Sequence, residues 1–562
     1  MRKTVLSTLV VALLLAGAST RAFAQGEMKP FLVVSLAGYQ RVIDDLAFVG
    51  RLSDNPDLAK NIEAGINFLT QDQGLAGLDK ARPWGLAAST DGAGYQILAF
   101  VSVTDVKKLL DALGGLLGNA DLQDGVYKVQ SQSIPIPLFI KEANGYAFIS
   151  QSADGLSNLP KEPAKLLAGL DKQYDIAVRL NLQNIPIVFR QMAIDHFKMR
   201  MDDSLQQLPG ETDAEYEQRS KMIQEQMDAL VTTLNELDDM TFGFTIDEPG
   251  RRTFSDFSMT AVEGTKTAKQ MVLLPTPPSK FAGFVASDAA ATLHINSKLD
   301  PDSIKQSLTM LKSMRAQVLS QIDDEDSIGS AKVRGIVKDI VGQVLDVVSD
   351  TVMQGTHNGG GIMVGDGPFT FVFGGSVSDG GKLDGVVKKL AELAKSDGGL
   401  PADALKLNAD KHKDVTFHTL KVEVPEDADN ADVIEKLLGK QALFTVAVGK
   451  QSVYLAAGDK GIETIKKVID KSEGVTETTS NPIELTVKLA PLLKMASEIE
   501  DANPILGSMA ASLKDGGKDK VRFTASGIKN GQVYRLEAEE GILKLIGSAA
   551  KLAAAQGGVG AF

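Results

Sequence analysis

His196, His294, His357, His412 and His418 are the five side chains best suited to proton transfer or metal binding near neutral pH. A helical metal site needs two histidines one turn apart, with an acidic partner in reach. No pair has the His-x-x-x-His spacing, so all five read as surface or internally satisfied groups. His412 and His418 flank one expected strand and share a side only if that strand is regular. Carboxylates come next. Asp323-Asp324-Glu325-Asp326 precedes Gly329 in the manner of a calcium loop, but Ile328 takes a ligand position and no glutamate stands at the twelfth place. It reads as a solvated turn, and Glu426-Asp427-Ala428-Asp429 as a polar loop. His357-Asn358-Gly359-Gly360-Gly361 and Gly365-Asp366-Gly367 lack the Gly-Lys-Ser/Thr of a phosphate loop. Gly374-Gly375-Ser376-Val377-Ser378 lacks the closing glycine of a nucleophile elbow. Both glycine runs are expected to make turns. No catalytic residue, cofactor site or metal ligand emerges, and the chain is not expected to be an enzyme.

These residues must be carried by an α+β fold. Two tandem homologous domains are expected, each an antiparallel sheet with helices packed on one face. Tyr174–Leu182 and Ile483–Leu489 both alternate apolar and polar residues, which predicts strands with one buried face. Pro186 and Pro491 then open helices. Leu98–Val103 leads into a helix holding Val106-Lys107-Lys108-Leu109, and Phe369–Phe373 into one holding Val387-Lys388-Lys389-Leu390. Gly145–Ile149 matches Ser452–Ala456. Thr241–Ile246 turns at Pro249-Gly250, and Val521–Ala525 at Asn530-Gly531, where glycine is expected to supply positive φ. Four matches in one order predict a first domain over 25–272, a proline-rich linker over 273–280, a second domain over 281–550 and a flexible tail over 551–562.

The copies differ in their helical insertions. A hairpin over Pro186–Asp239 breaks at Pro209-Gly210 and restarts at the capping box Thr212-Asp213-Ala214-Glu215. Its second arm places Ile223, Met227, Leu230, Val231, Leu234 and Leu237 on one stripe. Met227, Leu230 and Leu234 are the expected partner-binding residues. The second copy instead lengthens the helices Asp302–Ile322 and Lys332–Met353. Trp84, the sole tryptophan, is expected at the first buried position of a strand with its N–H hydrogen-bonded.

Residues 1–24 read as a secretory signal, with Arg2 and Lys3 before an apolar stretch and Ala22-Phe23-Ala24 at the cleavage site. The apolar stretch is too short to span a bilayer, and no second stretch of the sequence is long enough. A soluble protein of the periplasm or extracellular medium is expected. Without cysteine it has no disulfide, thiolate metal site or cysteine nucleophile. The net charge of −13 becomes −16 once Arg2, Lys3 and Arg21 are removed, which argues against nucleic acid.

The stretch Gly77-Leu78-Asp79-Lys80-Ala81-Arg82-Pro83-Trp84-Gly85, with Gln183–Gln191 and Gly210–Arg219, resembles a group of uncharacterised exported bacterial proteins with duplicated strand–helix modules. The resemblance implies an exported, duplicated α+β protein and carries no activity or ligand. The functional expectation is a non-catalytic envelope protein that holds an apolar ligand or serves as a scaffold for a protein partner. The alternative is an exported hydrolase whose carboxylates meet only in the fold.

Overall fold

The computed structural model describes residues 28–555 apart from 54, 93, 132–133, 203–205, 272–278, 287, 325–329, 366, 397–403, 425–430, 474, 476–480, 500–503 and 515–517. The expected signal segment, most of the linker, the Glu426–Asp429 loop and the end of the tail lie outside the described residues. Helices and antiparallel strands are mixed along the chain, and they gather into two compact units. The first holds the residues up to Ala268 with Lys529–Val533 and Glu537 onward; the second holds Lys269–Ile528 with Tyr534–Leu536.

In the first unit the strands are β1 (Lys29–Leu36), β2 (Trp84–Thr90), β3 (Tyr95–Ser102), β4 (Ala120–Gln123), β5 (Val126–Ser131), β6 (Ile134–Ala143), β7 (Tyr146–Ser150), β8 (Ile176–Asn181), β9 (Leu237–Asp247) and β10 (Arg252–Ala261). They pair antiparallel in the order β10-β9-β8-β1-β2-β3-β7-β6-β5-β4. Helices α1 (Tyr39–Leu52) and α2 (Leu58–Leu69) join β1 to β2, α3 (Val106–Ala112) follows β3, and α4 (Ile187–Asp202) and α5 (Asp213–Glu236) join β8 to β9.

The second unit has β11 (Ala291–Lys298), β12 (Thr356–Val364), β13 (Thr370–Ser376), β14 (Leu405–His412), β15 (Val415–Glu423), β16 (Gln441–Val448), β17 (Ser452–Ala457), β18 (Ile483–Lys488) and β19 (Lys520–Ile528), followed by β20 (Gly531–Glu539). Their order is β19-β18-β11-β12-β13-β17-β16-β15-β14, antiparallel throughout. Helices α6 (Pro301–Asp324) and α7 (Ala331–Met353) join β11 to β12, α8 (Gly380–Ser396) follows β13, and α9 (Gly461–Glu473) follows β17. The last helix, α10 (Glu540–Ala555), belongs to the first unit and packs on α1. The expected close of the second domain at residue 550 therefore differs from the observed grouping.

Both faces of each sheet are covered where helices lie, which corrects the one-sided arrangement. Successive strand residues point to opposite faces. On β7, Phe148 packs with Phe100, Leu156 and Leu167, while its neighbour Ala147 packs with Val106, Leu109 and Ile140. On β15, Phe417 packs with Ile465 of α9, and His418 bonds to Asp384 of α8.

Three local expectations also change. The glycine run before Ile362 is part of β12, not a turn, and Gly374 to Ser376 belong to β13. A Cβ on Gly360 would come within 2.8 Å of the Phe284 ring, and one on Gly361 within 2.7 Å of the Phe373 ring. The glycines let aromatic rings lie flat on the strands. The hairpin turns place positive φ on Arg251 (52°) and Asn530 (56°), and not on Gly250 or Gly531. Gly531 is needed instead because a Cβ there would strike the Met259 carbonyl. Trp84 does begin β2, but it is only half-buried and its Nε1 finds no hydrogen-bond partner among the described residues.

Candidate binding surface

The strands β1, β8 and β9 present three matched rows on one face. Leu36, Ile176 and Phe244 stand side by side, then Val34, Val178 and Phe242, then Leu32, Leu180 and Met240. All nine are apolar, as the period-two pattern dictates. The alternation had marked this as the buried side, yet Ile176 and Val178 are exposed and Phe242 is 48% exposed. The reason lies on the other face. Ala177 and Val33 turn there onto Leu167 and Leu170, which arrive from the segment between β7 and β8. Packing chose the face with small side chains and left the bulkier one open.

The second unit repeats this chemistry over more strands. Phe523, Leu485, Leu293, Gly361, Phe373, Leu455 and Val446 lie opposite one another across β19, β18, β11, β12, β13, β17 and β16. No member of the row can donate or accept a side-chain hydrogen bond. Phe373 is 55% exposed and Leu455 52%. Contiguous open apolar surface of this kind marks a ligand or partner site more often than isolated exposed residues do.

The helical hairpin adds a third apolar area. Of the residues expected to meet a partner, Leu230 is exposed, while Met227 and Leu234 are half-buried on α5. The stripe reading missed the first arm. On α4, Ile187 is 68% exposed and Met192 62%, with Phe189 and Met199 also open. Their apolar positions surround the helix, so no one-sided stripe announced them. Arg190 Nη1 bonds to the Gln183 side chain and the Asn235 carbonyl, and Gln183 Nε2 bonds to the Asn235 carbonyl at 3.0 Å, tying the base of the hairpin together. The Gly210–Arg219 stretch is held by Arg219, whose Nε donates to Glu211 at 2.7 Å. That bond pulls the Glu211 carboxyl down to about 2.

Polar groups converge elsewhere. Burial, and then the charge of Asp175, pushes the Asp45 carboxyl up to about 7, despite Arg41. Arg41 Nε contacts Asp175, which also accepts from the Ile246 amide at 2.6 Å and is buried at the mouth of β8. A carboxyl with a raised pKa beside a second carboxylate is an arrangement that acid–base catalysis uses. Neither lines the cavity of about 340 Å³ in the same unit, whose wall includes Tyr39, Glu63, Asn67, Gln73 and Lys80. There Tyr39 donates to Glu63 at 3.1 Å and Lys80 lies 4.9 Å above its ring. Burial, aided by Glu63, lifts the Tyr39 hydroxyl to about 12.

The Gly77–Gly85 stretch is a structural junction. Arg82 donates to Asp79 at 2.7 Å and to the Gly145 carbonyl at 2.7 Å, and it stacks 4.6 Å over the Tyr146 ring. The structure scatters four of the histidines and leaves His196 on the hairpin. His418 is buried against Asp384 at 3.0 Å, and His412 meets Asp470 at 2.8 Å beside Lys413. His412 and His418 are separated by the β14–β15 turn and serve different partners. Burial lowers the pKa of His294 and His357. Among the described residues no three His, Asp or Glu side chains are placed to hold a metal ion, and no helix is long and apolar enough to cross a membrane. Compared with known protein families, curated proteins and solved structures, the chain matches none.

Proposed function

We propose that this is a non-catalytic exported protein of the cell envelope that works by binding, with its open apolar sheet faces holding an apolar ligand and its helical hairpin offering a docking arm for a protein partner. The observation that carries the reading is the seven-strand apolar row in which Phe373 is 55% and Leu455 52% exposed. A face without hydrogen-bonding side chains suits a ligand that has none to satisfy. The two units also follow one strand order through nine strands each. A backbone bond recurs at matching places, from the Leu182 amide to the Asp238 carbonyl and from the Leu489 amide to the Asp519 carbonyl. These support descent of both units from one duplicated module. Export rests on residues 1–24, with cleavage after Ala24.

The test is binding of the neutral dye Nile red to the mature chain, followed by fluorescence. Enhancement that falls when Phe373 and Leu455 are changed to Ser supports the reading; no enhancement in the folded parent overturns it. N-terminal sequencing of the exported form checks the address, and an intact Met1 there refutes it. A carboxylate-based hydrolase is the second reading, favoured only by the Asp45–Asp175 pair. Hydrolysis of an ester or glycoside panel that Asp45→Asn abolishes would elevate it.

A further inference from the structure

Ile194 sets which side of α4 faces inward. It is the one buried residue described on that helix, and Arg190 and Lys198, about one turn to either side, are half-buried with it. Phe189, Met192, His196 and Met199 recur at intervals of three, four and three residues. At 3.6 residues per turn each of them points at least about 140° away from Ile194, so the four form a seam on the outer side. Val188 and Ala193 border it, and all six residues are exposed. The spacing is that of the a and d positions with which one helix packs on another.

Val188 is 64% exposed, Phe189 61%, and Met192 and Met199 62% each. At about 200 Å² per side chain, these four and His196 leave on the order of 600 Å² open on one helix. Two such surfaces together bury about 1,200 Å², the lower bound of stable, specific protein interfaces. A convex helix does not enclose a small ligand, which takes a concave site. The seam is also self-complementary, because intervals of three, four and three read the same from either end. A second α4 laid antiparallel sets Phe189 against the partner's Met199 and Met192 against the partner's His196. Each contact then occurs twice, as a two-fold interface requires. Both contacts join a sulfur to an aromatic ring, a favourable pairing. Parallel pairing would instead set His196 on its own copy, and two such rings repel when protonated.

We propose that α4 is a self-association helix, through which two copies of the chain pair antiparallel along Phe189, Met192, His196 and Met199. This names the partner of the docking arm and rests on the docking role proposed for the hairpin. The small interface makes the pairing dependent on protein concentration. His196 at the middle of the seam weakens the pairing and fixes its register, as a single polar residue at such a position does.

Sedimentation velocity of the full mature chain, from about 1 to about 100 μM, tests this. A monomer–dimer equilibrium is expected. Met192→Asp with Met199→Asp should weaken it at least about tenfold and leave the thermal midpoint unchanged. Both methionines are exposed, so that variant keeps its core. The chain has no cysteine, so introduced thiols report contacts without background. Phe189→Cys with Met199→Cys is expected to give a disulfide-linked dimer on mild oxidation, and His196→Cys alone is not. Linking through His196→Cys alone, or association indifferent to the two aspartates, would overturn the proposal. A monomer at every concentration would overturn it too, and peroxide oxidation of Met192 and Met199 then separates two cases. Ready oxidation leaves the arm open for a different protein. Protection means that the arm is covered by its own chain, and the docking role falls as well.

Discussion

Phe417 and His418 are adjacent on β15 and are both almost completely buried, one against Ile465 and the other against Asp384. Two neighbours pointing in opposite directions cannot both be buried unless the sheet is sandwiched at that point. Phe373 lies open on the opposite face of the same sheet from Phe417, so the contrast between the two measures which face is core. Phe417→Ala should cost about 3–5 kcal/mol in denaturant unfolding, as large-to-small core changes do. Phe373→Ala should stay within about 0.5 kcal/mol, as surface changes do. Equal losses at the two sites would mean that the Phe373 face is covered in solution.

The Asp45 carboxyl sets a pH dependence with a definite sign. Its folded value of about 7 lies above the ordinary aspartate value near 3.9. The folded protein therefore binds a proton that the unfolded chain has already lost between those limits. The contribution to stability is complete below about pH 4 and disappears as pH rises through 7. Asp45→Asn removes the titration and the buried charge, so the variant should be more stable than the parent at pH 8 and lack that slope. Identical slopes for parent and variant, from urea unfolding at several pH values, would count against the raised Asp45 value.

Gly547 reports on the docking of α10. A Cβ at this position would strike the Ser53 side chain at the end of α1. Gly547→Ala should then destabilise the first unit by about 1–3 kcal/mol, the usual range for overpacking, although alanine favours the helix intrinsically. A stabilised variant in calorimetry would show that α10 does not sit against Ser53.

The hairpin offers a sharper separation of binding from folding. Leu230 is exposed, whereas Met227 and Leu234 are half-buried on the same helix. Leu230→Asp together with Met192→Asp should leave the circular dichroism spectrum and thermal midpoint intact and abolish any co-purifying partner or self-association. Met227→Asp and Leu234→Asp should lower the midpoint as well. If the first pair unfolds the unit, the arm is core and the docking role fails.

How far the sequence could be read depended on which term controlled each element. Period-two alternation located β8 and β18 correctly, because alternation is intrinsic to a pleated strand. It could not say which side would be covered. That choice was made by Leu167 and Leu170, which come from an irregular segment with no periodic signature. The stripe on α5 was visible, but the apolar surface around α4 was not, since a pattern that surrounds a helix has no direction to detect. Proline and glycine announced the hairpin turns at Pro249-Gly250 and Asn530-Gly531, although Arg251 and Asn530 took the left-handed backbone. The carboxyl pair was invisible because Asp45 and Asp175 are 130 residues apart and meet only when α1 lies across the start of β8.

The open apolar faces also govern how the protein behaves among copies of itself. The side chains of those rows carry no charge, so colloidal stability rests on the acidic surplus of the whole chain. At low ionic strength that surplus keeps molecules apart over roughly 30 Å at 0.01 M salt, but over only about 3 Å at 1 M. Salt that shortens this range also strengthens apolar attraction when the anion is sulfate. Solubility should therefore fall steeply with ammonium sulfate, and light scattering should find the onset at lower concentrations for the parent than for a form with Phe373 and Leu455 replaced by Ser.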